Sequence, residues 1–483
     1  MTARFSAAEI LLAAGAHSRT SGGRDHFEGV STDTRTILPG SLFVALNGER
    51  FDGHDFLVDA AAKGAGGAIV RRGTEPPPGE ARLTLFEVED TLAALGALAR
   101  LHRNRFSIPV GAVAGSNGKT TAKEMAAAIL RTRGPALATE GNLNNEIGVP
   151  LTLLGLEPTH GAAVVELGMS HPGELARLTA IARPTAGLVT LVAEEHLEFL
   201  KDLDGVAEAE GELYRGLPEG AVAVVNADDP RCVAQAERAS SGVRKISFGK
   251  SPGADVRLLR VTPRGIKGQE ISLEGEEGEN LSGRLGSGVK LQRSRVQRSV
   301  RLAFVGVHNA MNAAAAAALA LALGHSFEEI SLGLAAARPF AHRSRIVRTA
   351  SGLVLLDDCY NANPSSMAAA LATLGTLAAG GRRVAVLGDM LELGEAEVRE
   401  HRALGERAAT AADLAAFFGP RSEGAFEAAR ARGLPAASAG HFTEVEPLVA
   451  WLKPLLRPGD TVLVKGSRGM KLERAVEALT AGV

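Results

Sequence analysis

The stretch that decides the fold is Val110-Gly111-Ala112-Val113-Ala114-Gly115-Ser116-Asn117-Gly118-Lys119-Thr120-Thr121. Its first five residues form a short apolar run that is typical of a buried strand, and a helix-favouring segment, residues 119–131, follows the glycine-containing turn. Strand, loop and helix in this order put backbone N–H groups at a helix N-terminus, where they carry partial positive charge and bind phosphate. We therefore predict a nucleotide phosphate site, in which Lys119 adds a full charge and Thr120 supplies a hydroxyl for Mg²⁺.

Residues 115–121, called the phosphate loop below, form a short version of the motif. The full spacing has a glycine five residues before Gly118, and Val113 stands there, so Gly115 takes the turn position instead. An ordinary glycine-rich turn is the alternative interpretation. We expect every residue of the loop to contact ATP: Gly115, Ser116, Asn117, Gly118, Lys119, Thr120 and Thr121.

Apolar runs and helical segments alternate along the rest of the chain, which predicts an α/β fold with parallel sheets covered on both faces. A length of 483 residues indicates several domains. We place their boundaries after residues 105 and 338. The runs that predict strands are 41–46, 162–165, 187–191, 221–225, 353–356, 384–387 and 461–464.

Composition excludes several classes of protein. The formal net charge is −2 without clustered positive charge, so we expect neither nucleic-acid binding nor a membrane surface. Two cysteines, Cys232 and Cys359, cannot form a disulfide framework, and no export signal is recognisable, so we expect a cytoplasmic protein. The apolar run 313–323 is shorter than the roughly 20 residues of a membrane span and predicts a buried helix.

The stretch 251–301 breaks the alternating pattern because an acidic segment is followed by a basic one. We interpret it as a solvated hairpin or loop, with a binding role as the less favoured alternative. The charged residues are Glu274, Glu276, Glu277, Glu279, Lys290, Arg293, Arg295, Arg298 and Arg301.

Two further residues are candidates for a metal site. Glu166 ends the predicted strand that begins at residue 162, and His196 follows another predicted strand. The carboxyl ends of parallel strands converge on the ligand crevice, so the two side chains could hold a second divalent cation beside the γ-phosphate. Each residue by itself is more often a solvated carboxylate or a hydrogen-bonded histidine without such a role.

Several separate strings occur in an order that resembles the Mur ligases over nearly the whole chain. The first is Ser31-Thr32-Asp33-Thr34-Arg35, and the third is the phosphate loop. Two later strings, 361–364 and 388–390, favour the branch of the family that adds a dipeptide. The remaining strings are 40–54, 141–150, 166–169, 308–312, 357–364 and 465–468.

The resemblance implies three domains: a small α/β domain that binds the uridine nucleotide, a central P-loop domain that binds ATP, and a Rossmann-like C-terminal domain. It also implies the reaction. ATP, bound with two Mg²⁺ ions, phosphorylates the terminal carboxylate of a UDP-N-acetylmuramoyl-tripeptide. The amine of D-alanyl-D-alanine then attacks the acyl phosphate. We expect a monomer.

Residue roles follow from the matching motifs. Lys119, Glu166, His196 and Glu210 are expected to be catalytic, and Thr120, Glu166, His196 and Glu210 to hold metal. Asn309, Arg343 and Asp357 match ATP contacts. The expected substrate contacts are Ser31, Asp33, Thr34, Arg35, Asn144, Asn145, Asn361 and Asn363.

The chain departs from the family pattern at two positions. Where the family usually has a lysine that becomes carbamylated, this chain has Glu210, a carboxylate that needs no bound CO₂. His342 stands where the family often has glycine, directly before Arg343. We expect Glu210 to replace the carbamate and to leave activity independent of bicarbonate.

Three alternatives stay open from the sequence. The chain could be a Mur-type ligase for another amino acid, which an amine screen would distinguish. It could be a P-loop ATPase or kinase, whose phosphate release would not depend on an amine. A degenerate binding subunit is suggested only by Glu210, and intact Lys119, Glu166 and His196 argue against it.

Overall fold

The structure is a computed structural model that describes residues 3–18, 24–48, 51–76, 83–277, 294–378 and 380–481. Its described part contains three larger sheets, each within one of the regions predicted from the sequence, and a two-stranded ribbon near the N-terminus. Helices cover the sheets, which confirms the predicted α/β class. The domain boundaries at residues 105 and 338 stay a prediction.

The first sheet has five described strands in the order β2-β7-β6-β5-β4, and all neighbours are parallel except β2 and β7. Helix α1 begins with a capping box in which Ser6 and Glu9 satisfy each other's backbone N–H groups. The elements are β1 Arg4–Ser6, α1 Ala7–Ala14, β2 His17–Ser18, β3 His26–Glu28, β4 Val30–Ser31, β5 Leu42–Val44, α2 Leu57–Ala62, β6 Gly67–Arg71, β7 Thr84–Val88 and α3 Thr91–Arg103.

The central sheet has nine described strands in the order β16-β15-β14-β13-β12-β11-β8-β10-β9. Strand β8, which leads into the phosphate loop, lies in the parallel part between β11 and β10. The elements are β8 Val110–Ala114, α4 Lys119–Leu130, β9 Ala136–Ala138, α5 Gly148–Leu153, β10 Ala162–Glu166, α6 Glu174–Ala182, β11 Ala186–Val189, α7 Leu197–Leu200, α8 Leu203–Arg215, β12 Val222–Asn226, α9 Pro230–Ala236, β13 Arg244–Gly249, β14 Val256–Pro263, β15 Gln269–Glu277, β16 Ser294–Leu302, α10 Val307–Ala322 and α11 Phe327–Ala336.

Strand β8 is completely buried because both of its faces are covered, as its continuous apolar sequence predicts. Its carboxyl end lies where connections leave toward both sides of the sheet, β11 and β10 being its two neighbours. Such a switch point opens a crevice for a ligand. The predicted buried helix at 313–323 is confirmed within α10, whose alanines are enclosed by the sheet and α4.

The interpretation of 251–301 as a solvated hairpin or loop is wrong in one respect. The predicted hairpin exists, since β15 and β16 pair antiparallel from Gln269 to Leu302, but it extends the central sheet through β14. One face is buried, because apolar residues alternate with the charged ones and pack on α11 and α10. Glu279, Lys290 and Arg293 lie outside the described residues.

The third sheet has six described strands in the order β17-β18-β22-β19-β20-β21, parallel except for β17. The elements are β17 Arg345–Arg348, β18 Val354–Asp357, α12 Pro364–Leu377, β19 Arg383–Gly388, α13 Glu397–Ala411, β20 Leu414–Phe418, α14 Glu423–Ala431, β21 Ala439–Phe442, α15 Val445–Leu452, β22 Thr461–Lys465 and α16 Glu473–Thr480. Across the described ranges, none of the helices combines the length and the apolar character that crossing a bilayer requires.

Candidate active site

The phosphate loop joins the end of β8 to the start of α4, and two glycines make its path possible. Gly115 and Gly118 have φ angles of +116° and +85°. A Cβ at Gly115 would lie 2.1 Å from Thr190 Oγ1, and one at Gly118 would lie 2.2 Å from Asn312 Oδ1. Thr190 also donates a hydrogen bond of 2.6 Å to the Asn117 carbonyl. The loop is therefore fixed by its neighbours before any ligand binds.

Lys119 lies at the first position of α4 and points back into the loop. Its ammonium donates to the Gly115 carbonyl at 2.5 Å and lies 3.5 Å from Glu195 Oε2. Burial alone lowers the pKa of Lys119, but the carboxylates of Glu195, Glu210 and Glu166 raise it above its ordinary value. Lys119 therefore carries its charge at neutral pH, as a residue that contacts phosphate must.

Glu166, Glu195 and Glu210 form a carboxylate cluster beside Lys119. All three residues are buried, at 2%, 8% and 2% exposure. Each has one buried carboxylate oxygen that accepts no hydrogen bond from the described residues: Glu166 Oε2, Glu195 Oε1 and Glu210 Oε2. Buried oxygens of this kind are rarely left without a partner, and oxygen is the ligand that Mg²⁺ prefers. Each of these three oxygens is therefore a candidate ligand for a divalent cation.

Glu210 comes from the middle of α8 and enters the cluster opposite the loop. Burial raises its pKa well above the ordinary value for glutamate. Lys119 opposes that rise, and Glu195 adds to it. A cation between the carboxylates would remove the repulsion that now favours protonation. The structure thus places Glu210 beside Lys119 and Glu195, and its role as a metal ligand stays a prediction.

Glu166 is held in position by two polar contacts. Asn144 donates a hydrogen bond of 2.9 Å to Glu166 Oε1, and Thr139 Oγ1 accepts one from the Glu166 backbone N–H. The neighbouring Asn145 uses its Oδ1 to accept from the N–H of Gly148, at the start of α5. Asn144 consequently orients a candidate metal ligand, and Asn145 orders the loop that carries Asn144.

His196 connects the cluster to the C-terminal domain. It has a φ angle of +49°, in the left-handed region that few residues other than glycine adopt. Its Nε2 lies 3.9 Å from Glu195 Oε2, and its Nδ1 forms a short hydrogen bond with Glu392. The hydrogen bond from His196 lowers the pKa of Glu392. The Glu392 contact fixes the ring so that its other nitrogen faces the carboxylate cluster.

Two cavities meet at the phosphate loop. The first, about 520 Å³, extends between the loop, α9 and α10, and the second, about 450 Å³, extends over Glu166, Glu195 and His196 but is not lined by Glu210. The residues that line both are Asn117, Gly118, Arg343, Ser366 and Lys465. Ligands bound in the two cavities would therefore meet at the phosphate loop.

The third sheet contributes polar side chains to this junction. The Arg343 guanidinium donates to Thr120 Oγ1 at 3.3 Å and lies 4.0 Å from the centre of the Tyr360 ring. Asn363, the N-cap of α12, donates a hydrogen bond of 3.0 Å to the Asn117 side chain. These contacts couple the phosphate loop to the C-terminal domain.

Asp357, which the sequence predicts to contact ATP, does not line the first cavity. It is buried and accepts hydrogen bonds from His342 and Cys359. The next residue, Asp358, lines that cavity and accepts a hydrogen bond of 2.7 Å from Lys465 Nζ. Successive residues at a strand end point to opposite sides, so a shift of one residue, from Asp357 to Asp358, decides which aspartate lines the cavity.

Two further predicted contacts do line the cavities. Asn309 faces the first cavity, and its side chain bonds to the Val305 carbonyl and to Asn312. Asn361 is exposed at the second cavity, and its carbonyl accepts from Lys465 Nζ at 2.9 Å. Sequence reasoning missed Asn312 and Lys465. Both belong to strings that had been recognised, but neither has a distinguishing spacing of its own.

The predicted uridine contacts lie apart from this junction. Ser31 is the last residue of β4, and its hydroxyl bonds to the Asp33 backbone. Arg35 pairs with Asp33 and lowers the pKa of that carboxyl to about 2. The Thr34 carbonyl accepts from Lys63 Nζ at 2.8 Å. These four residues form one ordered turn on the N-terminal sheet, and none of them lines either cavity.

Comparison with protein families gives three matches along the chain. Residues 26–103 match the Mur ligase family, catalytic domain; residues 113–320 match the Mur ligase middle domain; and residues 342–468 match the Mur ligase, glutamate ligase domain. The UDP-N-acetylmuramoyl-tripeptide–D-alanyl-D-alanine ligase of Escherichia coli K12 is 40% identical over 455 residues, 94% of this chain and 93% of that protein. The ligase of the same description from Bacillus subtilis is 35% identical, with 93% of both chains covered.

Solved structures agree with these matches. A crystal structure of MurF from Acinetobacter baumannii has a TM-score of 0.85 and 32% identity, with 99% of both chains covered. The crystal structure of MurF ligase from Thermotoga maritima in complex with ADP has a TM-score of 0.78 and 28% identity, covering 94% of this chain and 97% of that one. The three-domain architecture is thus shared along almost the entire chain.

Proposed function

The chain belongs to the Mur ligase family, and we propose from this premise that it joins D-alanyl-D-alanine to UDP-N-acetylmuramoyl-tripeptide at the expense of ATP. Relatives that carry this description are similar over more than nine-tenths of the chain. The observation that carries the proposal is the junction of two cavities at the phosphate loop. A ligase that activates a carboxylate must hold a nucleotide and an acceptor end to end.

The first cavity suits ATP. Its floor is the start of α4, whose N–H groups and Lys119 would bind the phosphates. Asn309, Asn312 and Asp358 line it, and Arg343 lies beside Thr120. We assign the ribose or adenine contact to Asp358 in place of Asp357, because only Asp358 lines the cavity.

The second cavity suits the acceptor carboxylate and the incoming amine. An oxygen of the tripeptide carboxylate attacks the γ-phosphorus of ATP, and the bond from that phosphorus to the bridging oxygen breaks, which releases ADP. The unprotonated amine of D-alanyl-D-alanine then attacks the acyl carbon and loses a proton to solvent, and phosphate leaves with the electrons of the carbon–oxygen bond. Lys119 and Arg343 offset the negative charge that accumulates when the two anions approach.

Two Mg²⁺ ions would lie beside the phosphates, held by Thr120, Glu166, His196 and Glu210. The ions would screen the repulsion between phosphate and carboxylate. The unpartnered oxygens of Glu166 and Glu210 support this assignment. Asn144 would position Glu166, and Glu392 would position His196.

Glu210 would provide directly the carboxylate that a carbamylated lysine provides elsewhere in the family. Its side chain is buried beside Lys119 and Glu195, which supports a place in the metal site. We therefore expect the same turnover in CO₂-depleted and bicarbonate-containing buffer. A large loss of activity that bicarbonate restores would contradict the assignment.

The function is tested by phosphate release from ATP in the presence of UDP-N-acetylmuramoyl-tripeptide. Release should require both the tripeptide and D-alanyl-D-alanine, and the pentapeptide nucleotide should appear in equal amount by mass spectrometry. Meso-diaminopimelate, L-lysine and D-glutamate serve as control amines. Equal phosphate release without any amine would instead indicate an ATPase, and turnover of a control amine would indicate a different ligase. The monomeric state and the cytoplasmic location stay predictions.

A further inference from the structure

A group of three possible metal ligands, two of them buried and one partly exposed, lies in the C-terminal part of the chain. It consists of His342, before β17, and of Asp357 and Cys359 at the end of β18. Among the described residues it is the one trio of histidine, cysteine, aspartate or glutamate whose ligand atoms come together this closely. The proposed reaction uses none of the three, and none of them lines the first cavity.

The distances between the ligand atoms resemble those of a tetrahedral zinc site. Cys359 Sγ lies 3.2 Å from Asp357 Oδ1 and 3.6 Å from His342 Nδ1, and that nitrogen lies 3.1 Å from the same Asp357 oxygen. Zinc bonds of about 2.0–2.3 Å at tetrahedral angles separate ligand atoms by roughly 3.3–3.6 Å. Movements of a few tenths of an ångström would therefore complete the geometry.

Charge and burial also favour a cation at this position. Asp357 and Cys359 are each 1% exposed, and a thiolate with a carboxylate would neutralise one divalent ion. Besides Asp357, the carboxylate of Glu473 at the start of α16 acts electrostatically on Cys359. Glu473 has a buried Oε2 that accepts no hydrogen bond from the described residues. A cation would compensate this concentration of negative charge.

The backbone of His342 has a conformation that favours glycine, which indicates that the imidazole has a role at this position. Its φ angle is +61°, a conformation that glycine adopts freely and that strains residues with a side chain. The imidazole is 29% exposed, so an ion can enter from that side and keep a water molecule as its fourth ligand. Glycine would remove the strain, yet only the imidazole can complete the trio.

We propose that His342, Asp357 and Cys359 form a binding site for Zn²⁺ or a similar borderline-soft divalent cation, separate from the Mg²⁺ site. On binding, the Cys359 thiol releases its proton to solvent and coordinates as thiolate. The ion ties the segment before β17 to the end of β18, and these two segments also carry Arg343 and Asp358. Mg²⁺ does not compete, because it prefers oxygen ligands.

Cobalt is the probe for this site, because a Co²⁺–thiolate bond gives a charge-transfer absorption band that oxygen and nitrogen ligands alone do not give. The full-length protein, freed of metal with a chelator, is titrated with Co²⁺ in excess Mg²⁺. We expect one equivalent to produce the band and Zn²⁺ to remove it. Zn²⁺ should also raise the melting temperature.

Three variants make the test specific. Cys359→Ser should abolish the band, and His342→Gly, which suits the backbone, should weaken Co²⁺ binding at least ~10-fold. Cys232→Ser, the matched control at the other buried cysteine, should keep the band. Circular dichroism checks that each variant is folded. No band in the wild-type protein, or a band that survives in Cys359→Ser, would mean that the trio is only a hydrogen-bonded cluster.

Discussion

The phosphate loop and the carboxylate cluster lie side by side, but the chain builds them in different ways. The loop is one contiguous segment between β8 and α4, and its conformation follows from glycine positions and a helix start. The cluster takes Glu166 from β10, Glu195 from the segment before α7, and Glu210 from α8. The difference shows that a binding site encoded locally can be found by its pattern, whereas one assembled from distant segments depends on the whole sheet.

Removing Lys119 should have the largest effect. Lys119→Ala takes away the one loop side chain that carries a full charge, and we expect turnover to fall about 10³-fold. Phosphate release under saturating substrates measures the effect. Lys245→Ala, which removes a surface lysine paired with Glu237, is the control and should keep normal activity. Normal turnover in Lys119→Ala would place the reaction outside the loop.

Removing the charge of Glu210, the member of the carboxylate cluster that comes from α8, should have the next largest effect on turnover. Glu210→Gln keeps the size of the side chain but removes its charge. We therefore expect turnover to fall about 10²-fold and the Mg²⁺ concentration needed for half-maximal activity to rise. Glu208→Gln is the matched control, because Glu208 lies on the same helix but is half exposed and bonded to Arg238.

A lysine at the same position separates the two ways of supplying a carboxylate. Glu210→Lys should be weakly active in CO₂-depleted buffer and should recover with bicarbonate, whereas the wild-type rate should not change. A wild-type rate that depends on bicarbonate would show that the carbamate lies elsewhere. An unchanged rate in Glu210→Gln would remove Glu210 from the metal site.

Substitution of Asp357 or Asp358 tests which of these adjacent aspartates contacts ATP. Asp358→Asn weakens the contact with Lys465, and we expect the KM for ATP to rise about 10-fold. Asp357→Asn should change that KM less, because the Asp357 side chain faces His342 and Cys359. Steady-state kinetics at varied ATP concentration distinguishes the two. The opposite order of effects would restore the assignment that the sequence predicts.

The smallest effect is expected at the helix that supports the loop. Glu329 in α11 pairs with Arg133, just beyond α4, and also completes the capping box with Ser326. Glu329→Gln should lower the free energy of unfolding by about 1 kcal/mol and leave turnover unchanged. Urea unfolding measures the first quantity, and phosphate release the second. A large loss of turnover would mean that α11 also shapes the loop.

The same pair predicts a pH dependence with a definite sign. The hydrogen bond from Arg133 lowers the pKa of Glu329 from 4.5 to about 2. A carboxyl group with a depressed pKa stabilises the fold fully above its unfolded value, and that contribution is lost as the pH falls toward the folded value. The difference between wild type and Glu329→Gln should therefore be constant above about pH 5 and shrink progressively at lower pH.

Much of this arrangement could be predicted from residues alone. The strands at 162–166, 222–226, 383–388 and 461–465 fall where apolar runs indicated them, because fully buried parallel strands have continuous apolar sequences. The hairpin at 269–302 was less accessible. Most of its charged residues lie on the face opposite the core, and that charge concealed the alternating apolar residues that pack on α11 and α10. These charged residues are Glu270, Glu274, Glu276, Arg295 and Arg301.

The sequence by itself determined the phosphate loop, the α/β class and the order of motifs that resembles the Mur ligases. These depend on local properties: glycine at positive φ, a helix start and period-specific apolar patterns. Only the tertiary structure decided that Glu195 joins Glu166 and Glu210, that Asp358 and not Asp357 lines the cavity, and that His342 meets Cys359. Such contacts depend on sheet order and on which side of a strand end each residue faces, and a shift of one residue reverses that side.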